Sequence, residues 1–377
     1  MSTVGAQRKS ISVLHILECP GGVVRYLQML MPRLRAKGIE QKVICSPSVD
    51  AASFSEEGFP VEQMPIGRSQ SPISIIRAIY GLRKRLKAEH FDIIYCHSSF
   101  AGAFGRVAAI GLGCKVVYNP HGWAFNIHSS AKIVRGFYLL VEKVLARHTD
   151  AIVCISKSEE AESIRRKVCR TDKLHLVENG IDIDEVANAV AIDKVSLGFS
   201  ENDYVVGMVG RISKQKSPDT FIKAAKLIKG SIPNAVFLIV GDGEDRKDIE
   251  SFAKDNGVNL VVTGWVKNPY SYMKVMNVGL LISRWEGFGL VIPELMAAGV
   301  NVISTKVDAI TTLVTDGQNG FLVDIDSPSQ VCDKVLWLHD NPSEAEKIRN
   351  NAIESLGRFD ISRVCNQHVE LFDNLMQ

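Results

Sequence analysis

The chain has 377 residues, 46% of them apolar and 23% charged, which excludes a disordered or fibrous protein and suits two soluble domains of ordinary size. A net charge of +2 hides an asymmetry: residues 1–183 hold 25 Lys+Arg against 16 Asp+Glu, and residues 184–377 hold 19 against 26. The basic first half suits an anionic partner, although scattered solvated lysines would give the same balance.

No apolar run approaches the ~18–20 residues that span a bilayer. The start, MSTVGAQRKS, does not read as a secretory signal. The eight cysteines are dispersed without a CxxC pair, and Cys45, Cys96 and Cys154 sit in apolar runs as buried thiols would. A reducing cytoplasm is the expected location.

In chain order, ISVLHIL (11–17), QKVIC (41–45), FDIIYCH (91–97), KVVYN (115–119), AIVCIS (151–156) and LHLVEN (174–179) read as strands apolar on both faces. Helical patterns such as 23–38 and 135–148 alternate with them. The stretch 184–203 lacks a strand and reads as a linker. The alternation then restarts with YVVGMVG (204–210), AVFLIVGDG (235–243), NLVVTGWV (259–266), VGLLIS (278–283) and NVIST (301–305). This pattern predicts an α/β protein of two doubly wound, Rossmann-like domains, 1–183 and 204–360, facing across a cleft. A last helical pattern, 361–377, could pack back on the first domain.

Several positions are candidates for chemistry. Gly21 and Gly22 lie where the first strand turns into a helix, so backbone amides could face an anion, although a plain tight turn needs the same residues. Neither this pair nor GDG (241–243) completes a dinucleotide fingerprint, which argues against a dehydrogenase. Arg211 leaves the strand 204–210 and Lys216 follows five residues on; two such cations could hold a diphosphate. Lys214, lying between them, reads as solvent-facing. In RWEGFGLVIPELMAAG (284–299), Gly287 and Gly289 allow a turn of exposed amides, and Pro293 suits the start of a helix. Glu294 would then complement the helix dipole, whereas Glu286 stands outside the helix and could bond sugar hydroxyls. The DID motifs at Asp182–Asp184 and Asp324–Asp326 could hold a divalent ion but are too short to argue for one.

Over essentially its whole length the chain resembles the GT-B glycosyltransferases of the retaining family 4. The matching stretches are GGVVRYLQMLMPRL, NPHGWAFN, VENGIDID, VGRISKQKS, LIVGDGEDRKDIE, VTGWV and EGFGLVIPE, the last being the family's E-x7-E element. The resemblance implies transfer of a sugar from a nucleotide-diphosphate sugar to a glycan or lipid-linked glycan acceptor, in surface polysaccharide or glycoconjugate synthesis. It implies retention of configuration with no metal or other cofactor. Arg211 and Lys216 would bind the diphosphate, Glu294 the ribose and Glu286 a donor-sugar hydroxyl. The Gly287, Phe288, Gly289 and Leu290 amides would contact sugar or phosphate, and the Val266 backbone would lie near the base. In the first domain Gly22 would approach the diphosphate and His121 the reacting sugar. The chain departs from the family where Ser217 follows Lys216 in place of a glycine. It departs again at VDAITTLV, where Thr311 and Thr312 stand near a missing acid.

The segment 71–90 reads as an amphipathic helix, with Ile75, Ile76, Ile79, Leu82 and Leu86 on one stripe and Arg77, Arg83, Lys84, Arg85 and Lys87 largely elsewhere. It could lie on an anionic membrane, making the enzyme peripheral on the inner face of the cytoplasmic membrane, or pack its stripe on its own sheet. Nucleic acid is not among the expected partners. Rival readings are a sugar-nucleotide epimerase or hydrolase on the same fold and a non-catalytic sugar-nucleotide binding module.

Overall fold

The computed structural model describes residues 10–67, 71–127 and 131–377. They divide into two compact units, Met1–Gly180 with Ile361–Gln377, and Ile181–Asp360.

The first unit is built on a seven-stranded sheet. Its strands are β1 (Ile11–Leu17), β2 (Ile39–Cys45), β3 (Val61–Gln63), β4 (Ile93–His97), β5 (Lys115–Asn119), β6 (Ala151–Cys154) and β7 (Leu174–Leu176), in the order β3-β2-β1-β4-β5-β6-β7. Each described pair is parallel. The apolar runs are continuous because both faces are covered. On β1, Val13 and Leu17 enter one core layer, and Leu14 and Ile16 enter another. The first layer includes buried residues of the helices Gly22–Ala36 and Ile361–Met376, which pack on each other. The second includes residues of Pro72–Ala88 and Ser99–Ala109. Two glycines set the approach of the latter helix: a Cβ at Gly102 would stand 2.3 Å from the Tyr118 ring, and one at Gly105 would stand 2.3 Å from Cys96 Sγ.

The amphipathic stripe read from 71–90 splits in the structure. Leu82 and Leu86 are buried in the unit's own core and Ile79 packs against it, whereas Ile75 and Ile76 are exposed, as are Ile73 and Tyr80 on the same helix. Arg83 donates to the Ala108 and Ile110 carbonyls and Arg85 pairs with Glu62, so two of the five basic residues serve the fold. A second helix, Lys132–Leu145, leaves Ile133, Val134, Phe137, Leu140 and Val144 exposed. It is tied down by a buried ion pair: Arg106 donates to Glu142 at 2.7 Å, and Tyr118 OH donates to the other carboxylate oxygen at 2.9 Å.

The second unit carries a six-stranded sheet of β8 (Tyr204–Val209), β9 (Ala235–Val240), β10 (Leu260–Val262), β11 (Val278–Leu281), β12 (Asn301–Thr305) and β13 (Phe321–Val323). The order is β10-β9-β8-β11-β12-β13, again with parallel pairs. Residues 184–203, read from the sequence as a linker, hold part of a helix Ile183–Ala187 and a turn Lys194–Leu197, and belong to this unit. Buried Val186 and Phe199 anchor them, too few apolar residues to give a sequence period.

Candidate active site

In the second unit the candidate residues gather at the carboxyl ends of the strands, where α/β sheets bind ligands. The loops after β8 and β9 touch through glycine backbone. A Cβ at Gly241 would stand 2.0 Å from Gly210 O, and one at Gly243 would stand 2.1 Å from Ile212 O. GDG is therefore a packing motif here, consistent with the absence of a dinucleotide fingerprint. Gly241 also bridges to Gly264, two residues before the half-buried Val266.

Arg211 follows Gly210 and is exposed, paired with Glu244 at 2.9 Å. Lys216 folds back, its Cε 3.6 Å from where a Cβ on Gly210 would lie, and its ammonium meets Glu286 Oε1 at 2.5 Å. Ser283 Oγ donates to the same oxygen at 2.6 Å. Lys216 and Glu286, 70 residues apart, thus form one charge-assisted pair beside Arg211.

Arg284 fixes the two loops together, a role sequence reasoning missed. It donates to Lys214 O at 2.6 Å and pairs with Asp219 at 3.0 Å and Asp326 at 2.8 Å. Gln215 donates to Trp285 O at 2.9 Å. Asp326, half of the second DID motif, is spent on Arg284, while Asp324 meets Lys306 and Gln330. Asp182 of the first motif caps its helix by accepting from Glu185 N. Among the described residues no group of three or more His, Cys, Asp or Glu could hold a metal ion.

The turn 287–290 is shaped by two of its members. Phe288 is buried against Phe359, ring centroids 5.7 Å apart. Gly289 has φ 88°, and a Cβ there would stand 2.6 Å from Ile310 Cδ1. Leu290 precedes the helix Val291–Ala297, which contains Pro293 and Glu294. Glu294 is buried, with Tyr270 OH donating to Oε1 at 3.1 Å. Thr311 and Thr312 turn their hydroxyls back onto the Asp308 and Ala309 carbonyls.

The other two candidates belong to the first unit. Gly22 opens the helix Gly22–Ala36, and a Cβ there would meet no atom within 4 Å. His121 lies just past β5 at φ 49°, its N–H donating to Asn119 Oδ1. Its neighbour Gly122 donates to the buried Glu159, which also accepts from Ile155 N; burial pushes that carboxyl up to about 7. His121 Nε2 lies 3.1 Å from His97 Nδ1. Although part of its surface is accessible, desolvation, with nearby His368 contributing, lowers its pKa to about 3. It is a neutral imidazole at pH 7.

Residues 20–185 match the Glycosyltransferase Family 4 model, and residues 190–355 match Glycosyl transferases group 1. An Escherichia coli UDP-Gal:alpha-D-GlcNAc-diphosphoundecaprenol alpha-1,3-galactosyltransferase is 31% identical, over 84% of this chain and 86% of the relative. The chain belongs to the GT-B glycosyltransferases of the family 4 type. An uncharacterized 41.2 kDa protein in the cps region of Klebsiella pneumoniae is 30% identical over 85% of this chain and 88% of its own length. Anabaena HepE, solved with UDP and glucose, superposes with a TM-score of 0.82 at 20% identity, covering 96% of this chain and 99% of that one. At that identity the likeness concerns the fold. Membership of that family makes the chain a glycosyltransferase.

Proposed function

We propose that the enzyme transfers a hexosyl or N-acetylhexosaminyl group, with retention, from a uridine-diphosphate sugar to a lipid-diphosphate-linked glycan. The observation that carries the reading is the Lys216–Glu286 pair set beside Arg211 at the carboxyl edge of the second sheet. Departure of a nucleoside diphosphate develops negative charge on its phosphate. Two fixed cations placed there stabilise that charge without a metal. Glu286 takes a sugar hydroxyl on its remaining acceptor capacity, and Glu294 takes the ribose. The amides of 287–290 face sugar or phosphate, and the Val266 backbone meets the base. To Gly22 and His121 the proposal assigns contacts with diphosphate and sugar. The choice of uridine and of a lipid-linked acceptor is supported by what the Escherichia coli relative and the HepE structure contain.

Thermal shifts with UDP, GDP, ADP, TDP and NAD test this, since a ligand that binds only the folded state raises the melting temperature. UDP should stabilise the wild type and not Arg211→Ala. No shift with any nucleoside diphosphate would overturn the reading. Incubating UDP-sugar with and without lipid-linked acceptor separates transfer from epimerisation or hydrolysis, and EDTA should leave the transfer rate unchanged.

The same proposal places the first unit on an anionic bilayer. No helix among the described residues is long and apolar enough to cross a membrane. Exposed Ile73, Ile76 and Tyr80 on one helix and Ile133, Phe137 and Leu140 on another supply apolar area, and both helices pack on Ser99–Ala109. Exposed Arg77, Lys84, Lys132 and Arg147 supply positive charge, each worth ~1 kcal/mol near an anionic surface.

A further inference from the structure

The first unit carries a row of polar side chains through a buried and largely apolar layer. Gln41 on β2 stands in register with Val13 on β1. His15 is two residues further along β1. His97 on β4 is in register with Leu17, again two residues on. Asn119 on β5 is in register with His97, and His121 follows it by two. Side chains two apart on a strand share a face. Each step to the next strand therefore advances one place along the same face, and the row runs diagonally across four strands to the carboxyl edge.

The contacts along the row are continuous. Gln41 Nε2 donates to Met31 O at 2.8 Å, which fixes the orientation of that amide. Its Oε1 therefore faces His15 Nε2, 3.1 Å away. His15 Nδ1 lies 3.1 Å from His97 Nε2, and His97 Nδ1 lies 3.1 Å from His121 Nε2. An amide oxygen only accepts, so His15 must carry its proton on Nε2. A neutral imidazole has one N–H and one lone pair, so each ring dictates the next. His15 accepts at Nδ1 from His97 Nε2–H, and His97 accepts at Nδ1 from His121 Nε2–H. Burial and the crowding of imidazoles keep all three rings neutral. A fourth ring is set the opposite way: His368 donates from Nδ1 to Val364 O and so accepts at Nε2 from Tyr95 OH at 2.9 Å, with Tyr26 OH 3.2 Å away.

We propose that Gln41, His15 and His97 are positioning residues that lock His121 as the Nε2–H tautomer, leaving its Nδ1 lone pair for a substrate hydroxyl. This inference rests on the assignment of His121 to the sugar made above. Nδ1 of His121 has no partner among the described residues. A locked acceptor takes a hydrogen bond from a hydroxyl and gives none to a carboxylate or phosphate oxygen. The subsite is therefore built for a neutral hydroxylated sugar and discriminates against a uronic acid carrying its carboxylate there. A buried row of imidazoles is a costly way to fill a core, because each polar atom must be satisfied in place. Apolar residues of like volume would fill it more simply, and the tautomer of the last ring is what the row adds.

The test is a long-range ¹H–¹⁵N correlation spectrum of the full chain labelled in histidine, without substrate, at pH 7.5, with rings assigned by single substitution. His15, His97 and His121 should each appear as neutral Nε2–H rings and His368 as a neutral Nδ1–H ring. A wild-type His121 that is cationic, Nδ1–H or averaged between tautomers overturns the proposal. In Gln41→Leu the first acceptor is gone. His121 should then average its two tautomers, and kcat/KM for sugar transfer should fall about twofold, the loss that an evenly divided ring represents, while UDP affinity holds. An unchanged spectrum and rate in that variant would also overturn it; should the variant fail to fold, the wild-type spectrum still decides. A locked spectrum with undiminished transfer by His121→Ala would instead refute the assignment of His121 to substrate.

Discussion

Ser217 sits at φ 52° and ψ 49°, in the left-handed region, as the residue before the helix Pro218–Ser231. Its hydroxyl is buried with no protein partner. A side chain in that region costs roughly 1–2 kcal/mol, and an unsatisfied buried hydroxyl adds to this. Ser217→Gly should therefore stabilise the protein by ~1 kcal/mol after the flexibility of glycine is counted, measurable by urea unfolding. The departure from the family's glycine was visible in the sequence, but its cost was not, because φ is a property of the folded loop. The buried titratable groups also set a pH dependence. His15 and His121 are held at about 3 and His368 at about 4, chiefly by desolvation, against 6.5 unfolded. The unfolded chain takes up protons that the folded one refuses, so their contribution is full above pH 6.5 and is lost as pH falls. Glu159 runs the other way: its folded value of about 7 against 4.5 makes stability fall as pH rises across that window. Three histidines outweigh one carboxyl, so the melting temperature should rise from pH 5 to pH 7. A fall over that range would contradict the buried neutral rings.

At the scale of elements, the helix Lys132–Leu145 shows how an exposed apolar face can be held in place. Glu142 and Arg106 are both buried, and the guanidinium lies 3.8 Å from the Tyr118 ring centroid. Removing one member strands the other charge in the core, so Glu142→Ala should cost about 3–5 kcal/mol in a urea titration. A cost below 1 kcal/mol would show that Arg106 finds water. The turn 287–290 makes a second case. Gly289→Ala combines a strained positive φ with a clash against Ile310 and Leu281. It should lose roughly 2 kcal/mol and weaken UDP binding together, because the turn's amides shift with it. β3 and β13, three residues each, were not read from the sequence, whereas the equally short β7 and β10 were, because they lie inside the longer runs LHLVEN and NLVVTGWV.

At the scale of the molecule, the charge asymmetry and the exposed apolar helices of the first unit bear on one function. Binding to vesicles containing phosphatidylglycerol should weaken as salt rises, since screening shortens the reach of the basic residues. Phe137→Ser with Ile133→Ser should reduce co-sedimentation several-fold while soluble-donor hydrolysis and the thermal shift with UDP are unchanged. Equal binding to neutral and anionic vesicles would refute the charge component.

The continuous apolar runs, their alternation with helical periods and the E-x7-E element determined the α/β class and the family, because those signals are local in sequence. Arg211, Lys216, Glu286 and Glu294 could be singled out for the same reason: each lies beside a turn or helix start that its neighbours announce. Only the tertiary structure decided that Lys216 pairs with Glu286 and that Arg284 joins their loops. It alone split the 71–90 stripe between core and solvent, and aligned Gln41, His15, His97 and His121. Those facts depend on strand order and register, which arise when the chain packs and which no spacing along one strand contains.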